Sequence, residues 1–361
     1  MSKRSLLVAL LLIVAIDAEA RRRAVAAGGR WNVPRCEAVQ GFPSISISVD
    51  GGRSVLEHEQ PPAGLQTYTF GLAALHRPNA LMAITGRTLL TTNDSGCTWE
   101  IDGRFTFPQS LYRFVDAGAD GFWAWSPLAP ELFLLGEHAE VKSQRAAPVL
   151  LPIALYADPR MPRQLAAADD QGNIWWSDDA AQTWTLHAVS PSRPPLYALE
   201  FSPRGRAHLV SSGLADGAFV SFDGGVTWTP SAGLETLNVF RFAFSPADPD
   251  VVWAITLDPT IKGAARRAIY RSADGGRTYQ RVITASAEMP MTNGFTITPA
   301  PRDASLLYVA LPGTTLHLID AAGRQHWFAQ LPHRDINAIV FSPASPDVLY
   351  FGLKVSDMTG E

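Results

Sequence analysis

An eight-residue pattern, Ser/Thr-x-Asp-x-Gly-x-Thr-aromatic, recurs along the chain and limits its fold more than any other feature. It stands as TNDSGCTW from Thr92 to Trp99, SFDGGVTW from Ser221 to Trp228, SADGGRTY from Ser272 to Tyr279 and, less completely, SVDGGRSV from Ser48 to Val55. This is the chemistry of a turn between two strands. Glycine tolerates positive φ, the Asp carboxylate and Ser hydroxyl accept hydrogen bonds from turn N–H groups, and the aromatic ring buries the corner.

The spacing acts as a ruler. Asp94 and Asp223 are 129 residues apart, three steps of 43, so copies are expected near positions 137 and 180. Near the second stands SDDAAQTW, Ser177 to Trp184, built on Asp179 with Ala181 in place of a glycine; near the first, Leu135-Gly136-Glu137-His138 keeps only a turn. Beyond Asp274, the stretch Asp320 to Trp327 is a worn copy. With Asp50 this makes seven units, and a period in this range signals a repeat fold.

A second register agrees. Upstream of each box lie two apolar strands joined by a Pro/Asp/Arg-rich turn, clearest from Phe242 to Trp253 and from Ile339 to Tyr350, and looser around Arg77, Asp120, Arg160, Arg204 and Arg302. The first box lacks such a turn before it, and the last turn lacks a good box after it. Ring closure reconciles the two: strands near Ile336 to Leu353 form the inner half of a blade whose outer half is the segment around Ile45 to Leu56, which removes open sheet edges. The expected fold is all-β, a seven-bladed β-propeller of four-stranded antiparallel blades over residues 36–361. Because each blade packs only on its neighbours, one domain accommodates this length.

Lys3 and Arg4 precede an apolar run from Leu6 to Ile16 and then Ala18-Glu19-Ala20, the layout of a signal peptide over residues 1–20, followed by a lead-in over 21–35. The expected location is secreted or periplasmic. Net charge is −4, which gives nucleic acid no electrostatic footing. Export permits a disulfide between Cys36 and Cys97, the only two cysteines; the alternative is two buried thiols.

In a four-stranded blade the first and third connections lie on one face of the disc, the second and fourth on the other. The boxes occupy third connections. Asp50, Asp94, Asp179, Asp223 and Asp274, with Trp99, Trp184, Trp228 and Tyr279, are therefore read as structural, on the face opposite the loops that ordinarily bind ligands.

These boxes resemble the Asp-box (BNR) repeats of sialidases, sortilin-type receptors, some xyloglucanases and the seven-bladed photosystem II assembly and stability factors. The chain lacks the Arg-Ile-Pro motif and six-blade count of sialidases, and it is about half the length of two-propeller xyloglucanases. Its closest resemblance is to the single seven-bladed, exported propellers. That resemblance implies a binding scaffold rather than an enzyme, with function argued from a site and not from the fold.

No nucleophile elbow, phosphate-binding Gly loop, His-Glu-x-x-His or Cys-x-x-Cys occurs, and the histidines lack ligand spacing, so no catalytic residue, metal or cofactor is assigned. Asp169 to Asn173 carries calcium-type oxygens but not the length of a calcium loop. Loop carboxylates available to a glycosidase are Glu131, Asp169, Asp170, Asp216, Asp258, Glu288 and Asp335, without a pairing.

The step from Asp223 to Asp274 is 51 residues rather than 43, and the surplus falls in Asp258 to Arg267. This overlong ligand-face loop carries Lys262, Arg266 and Arg267, with His333 and Arg334 expected on a neighbouring loop. Loops on a rigid scaffold concentrate function. The basic loop suits an acidic protein partner or an anionic glycan, and Trp125 is the expected sugar-stacking ring. The functional expectation is a monomeric, exported scaffold that binds a protein partner; the alternative is a glycoside hydrolase or carbohydrate-binding protein.

Overall fold

The computed structural model describes residues 45–55 and 69–355, apart from positions 78, 110, 264–265, 293, 313–314, 331–333, 344 and 346. The described chain forms seven antiparallel sheets. Blades 2 to 7 run over 69–106, 113–146, 152–189, 198–230, 238–284 and 296–330, each with four strands in sequence order. Blade 1 joins the two ends of the chain. Arg334–Phe341 is its inner strand, Leu349–Val355 its second and Ile45–Ser48 its third, with Ile45 opposite Gly352 and Ser48 opposite Leu349.

The inner strands Thr69–Ala74, Arg113–Asp116, Pro152–Asp158, Ala198–Ser202, Asn238–Phe244 and Thr296–Pro299 follow one another around an axis, and that of blade 7 meets that of blade 1. The ring is closed by strand pairing between the termini, a seven-bladed β-propeller. Its core is a series of blade-to-blade clusters rather than one centre, as expected when alternating strands bury both faces against neighbours.

The turn chemistry is visible in five boxes. At Asp223 the Ser221 hydroxyl donates at 2.8 Å, and the Thr227 N–H and hydroxyl donate at 2.9 and 2.5 Å. Asp50, Asp94, Asp179 and Asp274 accept the equivalent bonds. Every box joins the third strand of its blade to the fourth, or to the segment after the third in blade 1. These bonds hold the Asp223 carboxyl down at about 2, the Thr227 hydroxyl and N–H contributing most.

The box aromatics wedge against the preceding blade. Trp228 joins the cluster of blade 4, Tyr279 that of blade 5 and Trp184 that of blade 3, where its Nε1 donates to the Ala146 carbonyl at 3.0 Å. Trp99 packs with Ile45, Ile47 and Tyr350 of blade 1. In the worn copies the backbone shape outlives the residues: Ala180 and Ala181 hold φ of 60° and 61° where the boxes at Asp223 and Asp274 have two glycines. Asp320 takes the serine position, accepting the Ala322 and Arg324 N–H groups at 2.9 Å each.

Candidate functional site at the mouth of the central channel

The inner strands wall a central cavity of about 1250 Å³. Charged side chains reach it from three inner strands: Arg113 and Asp116 from the two ends of Arg113–Asp116 in blade 3, Glu200 from Ala198–Ser202 of blade 5, and Arg241 from Asn238–Phe244 of blade 6. Arg113, Glu200 and Arg241 are exposed to channel water yet surrounded by the inner strands, so they lose part of their hydration. Loss of hydration pushes the Glu200 carboxyl up to about 7, although Arg241 and Arg113 pull it the other way. Burial also lowers Arg241, as does the like charge of Arg113. The Arg241 guanidinium donates to Thr296 Oγ1 at 2.6 Å, which fixes its direction.

Aromatic rings rim this cluster. Tyr197 and Phe240 lie 4.9 Å apart, and Phe240 is 43% exposed. The long connection of blade 6 adds to the same end. Its neck closes where the Asp258 N–H donates to the Arg266 carbonyl at 2.7 Å, while the Asp258 carboxylate accepts the Thr260 N–H and hydroxyl. Arg266 and Arg267 both line the cavity, and Arg267 donates to the Met291 carbonyl at 2.9 Å. Burial and the neighbouring Arg266 lower the Arg267 guanidinium. Lys262 is exposed on the loop.

Four arginines from two blades, Arg113 of blade 3 and Arg241, Arg266 and Arg267 of blade 6, therefore face a cavity whose lining carboxylates, among the described residues, are Glu200 and Asp116. Asp116 is occupied: it accepts the Gly118 N–H at 2.7 Å and faces His76 Nε2 at 3.2 Å. The arrangement favours an anionic ligand group held by guanidinium forks beside an aromatic surface.

The other sequence candidates fall elsewhere. Trp125 is 4% exposed, packed between blades 3 and 4 with the Arg113 guanidinium 5.5 Å from its ring centre, so it presents no open stacking face. His333 lies outside the described residues, and Arg334 and Asp335 begin the inner strand of blade 1 rather than a loop. The Asp169 carboxylate accepts the N–H groups of Gln171 and Asn173 and the Asn173 amide, closing its own turn. Asp216 likewise accepts the Arg193 and Gly213 N–H groups, and Glu288 the Ser286 hydroxyl. Asp170 meets the Gln171 amide, and Glu131 sits in the third strand of blade 3. Cys97 is 8% exposed and disulfide-bonded; Cys36 lies outside the described residues.

Sequence reasoning missed Arg113, Glu200 and Arg241. Their signal was a charge inside an apolar strand, as in Ala198-Leu199-Glu200-Phe201 and Val239-Phe240-Arg241-Phe242. Among the described residues no helix is long and apolar enough to cross a membrane.

No protein-family model matches the chain. Among solved structures, YCF48 from Cyanidioschyzon merolae superposes with a TM-score of 0.56 at 14% identity, covering 81% of this chain and 98% of that one. YCF48 bound to D1 peptide gives 0.56 at 16% identity, over 90% and 100%. The GH74 xyloglucanase from Xanthomonas campestris gives 0.57 at 15% identity over 86% of this chain, which spans about half (52%) of that enzyme. These three likenesses establish the fold. The dispase autolysis-inducing protein of Streptomyces mobaraensis is 30% identical over 353 residues, covering 90% of each chain, and this chain belongs to the same family.

Proposed function

We propose that the chain is an exported, non-catalytic scaffold that binds a protein partner on its ligand face, through acidic groups of that partner. The carrying observation is the convergence of Arg113, Arg241, Arg266 and Arg267 on one cavity with few competing carboxylates among the described residues. The name of the Streptomyces relative adds the partner class: a protein that induces dispase autolysis acts on a protease. We therefore take an exported protease as the partner. A solved relative in fold with a bound peptide supports protein recognition by such a ring. Export rests on residues 1–20, which lie outside the described residues.

Calorimetric titration with dispase tests the reading. Saturable binding that weakens steeply with added salt is expected from guanidinium–carboxylate contacts; absence of binding at low salt would exclude the protease as partner.

A glycosidase reading rests on Glu200, whose raised pKa of about 7 suits a general acid. The second carboxylate of such a pair is then required from Asp116, which is already bonded to Gly118 and His76. Turnover of an oligosaccharide panel that disappears in Glu200→Gln would favour this reading over the scaffold.

A further inference from the structure

Beside the channel mouth the ligand face carries exposed aliphatic side chains. Leu128 is 55% exposed in the connection between the second and third strands of blade 3, and Leu150 and Leu151 are 76% and 54% exposed in the segment leaving its fourth strand. Both segments leave the same end of the blade, where the Ala147 N–H donates to the Pro130 carbonyl. They lie on the same face as the arginine mouth and not on the face of the boxes.

One of these connections borders the channel. Pro127, next to Leu128, lines the cavity together with Arg113. The Arg113 guanidinium also lies over the Trp125 ring of the same blade. From the connection that carries Leu128, the cavity lining thus leads by way of Pro127 and Arg113 to Glu200, Arg241 and the basic connection of blade 6. Apolar surface rimmed by positive charge complements a segment that is aliphatic at one end and acidic at the other.

We propose that Leu128, Leu150 and Leu151 form an apolar shelf that takes the aliphatic end of an extended partner segment whose acidic end occupies the arginine mouth. This rests on the reading of the mouth as a site for acidic protein groups, and it supplies what charge alone lacks: direction and selectivity along the segment. Leucine burial also adds affinity that salt does not screen.

Two end-blocked synthetic peptides separate the shelf from the mouth: Leu-Val-Leu-Gly-Glu-Glu-Glu-Glu, and the same peptide with its three aliphatic residues changed to Ser. Their affinities for the full chain, for Leu150→Ser/Leu151→Ser and for Arg241→Gln are read by fluorescence anisotropy. The shelf requires the aliphatic peptide to bind about tenfold tighter than the serine peptide. It requires Leu150→Ser/Leu151→Ser to erase that preference while leaving the serine peptide unchanged. Equal affinities for the two peptides overturn the shelf and leave the mouth standing if Arg241→Gln weakens both. If neither peptide binds, the shelf is overturned together with the acidic-segment reading of the mouth. Sedimentation of the same variant covers the other occupant: a dimer that becomes a monomer in Leu150→Ser/Leu151→Ser overturns the proposal in favour of self-association.

Discussion

Gly224 lies against the Trp176 ring: any methyl group at Gly224 would collide with Cζ2 of that indole, and would stand 2.9 Å from Nε2 of the His187 ring stacked on it. The box of blade 5 is thereby seated on the aromatic surface of blade 4. The same seating recurs one blade on, where Gly275 sits beside Phe222 and His208. Arg206 covers Trp176 at 4.0 Å and Arg277 covers Phe222 at 3.9 Å, so each junction is capped by a cation on a ring.

Gly224→Ala should therefore destabilise the fold by about 3 kcal/mol, combining positive-φ strain with overpacking. Gly86→Ala is the comparison: it has φ of +57° but open space around it, and should cost about 1 kcal/mol. At the worn box, Ala180→Gly should stabilise by about 0.5 kcal/mol, because Ala180 already holds φ of 60°. Urea unfolding of the three variants checks the order.

The boxes show how far the sequence carries. Their spacing, their place at third connections and the closure of blade 1 were legible because turn chemistry is local: a Ser, an Asp and a Thr bond within a few residues of one another. Asp320 was legible as a worn box but not as the residue in the serine position, since that depends on which N–H groups its carboxylate meets. The mouth was half legible. Arg266 and Arg267 stood out through an overlong step in the repeat, whereas Arg113, Glu200 and Arg241 meet only because a ring folds three distant strands around one axis.

His76 of blade 2 bridges two carboxylates of blade 3, Glu137 Oε1 at 2.7 Å and Asp116 Oδ2 at 3.2 Å, with its ring stacked on Phe122. Arg77 faces the same Glu137, donating to its carbonyl at 2.8 Å. Burial opposes the imidazolium, but Asp116 and Glu137 outweigh it and raise the His76 pKa above 6.5. The raised value makes this latch fully stabilising below the unfolded pKa and lost as pH rises through the folded one. His76→Gln should lower Tm at about pH 5.5 and leave it unchanged at about pH 8.5. Equal deficits at both values would contradict the latch.

Glu200 moves stability in the same direction with pH, by a different cause. An acid held at about 7 in the folded protein, against an ordinary value of 4.5, takes up protons on folding, so its effect on stability worsens as pH rises from about 4.5 through 7. Glu200→Gln should flatten that slope in Tm measured from pH 5 to 8. It should also tighten binding of acidic peptides above about pH 7, since the mouth then loses the one carboxylate, among the described residues, that no hydrogen bond occupies.

Cys97 turns inward at the first complete box, and Cys36 is the one other cysteine. Non-reducing peptide mapping of the protein should recover a Cys36–Cys97 cross-link tying the lead-in to blade 2. Reduction should then lower stability by about 2–4 kcal/mol. Two alkylatable thiols in the native protein would refute the pairing.

The central claim is that the ligand face, through its arginine mouth, binds the protein partner. Calorimetric titration of dispase into the wild type, Arg241→Gln/Arg267→Gln and Arg302→Gln tests it most directly, Arg302 being an exposed arginine on the box face. The account predicts at least tenfold weaker binding for the double variant and wild-type binding for Arg302→Gln. Undiminished binding by the double variant, or loss confined to Arg302→Gln, would contradict it.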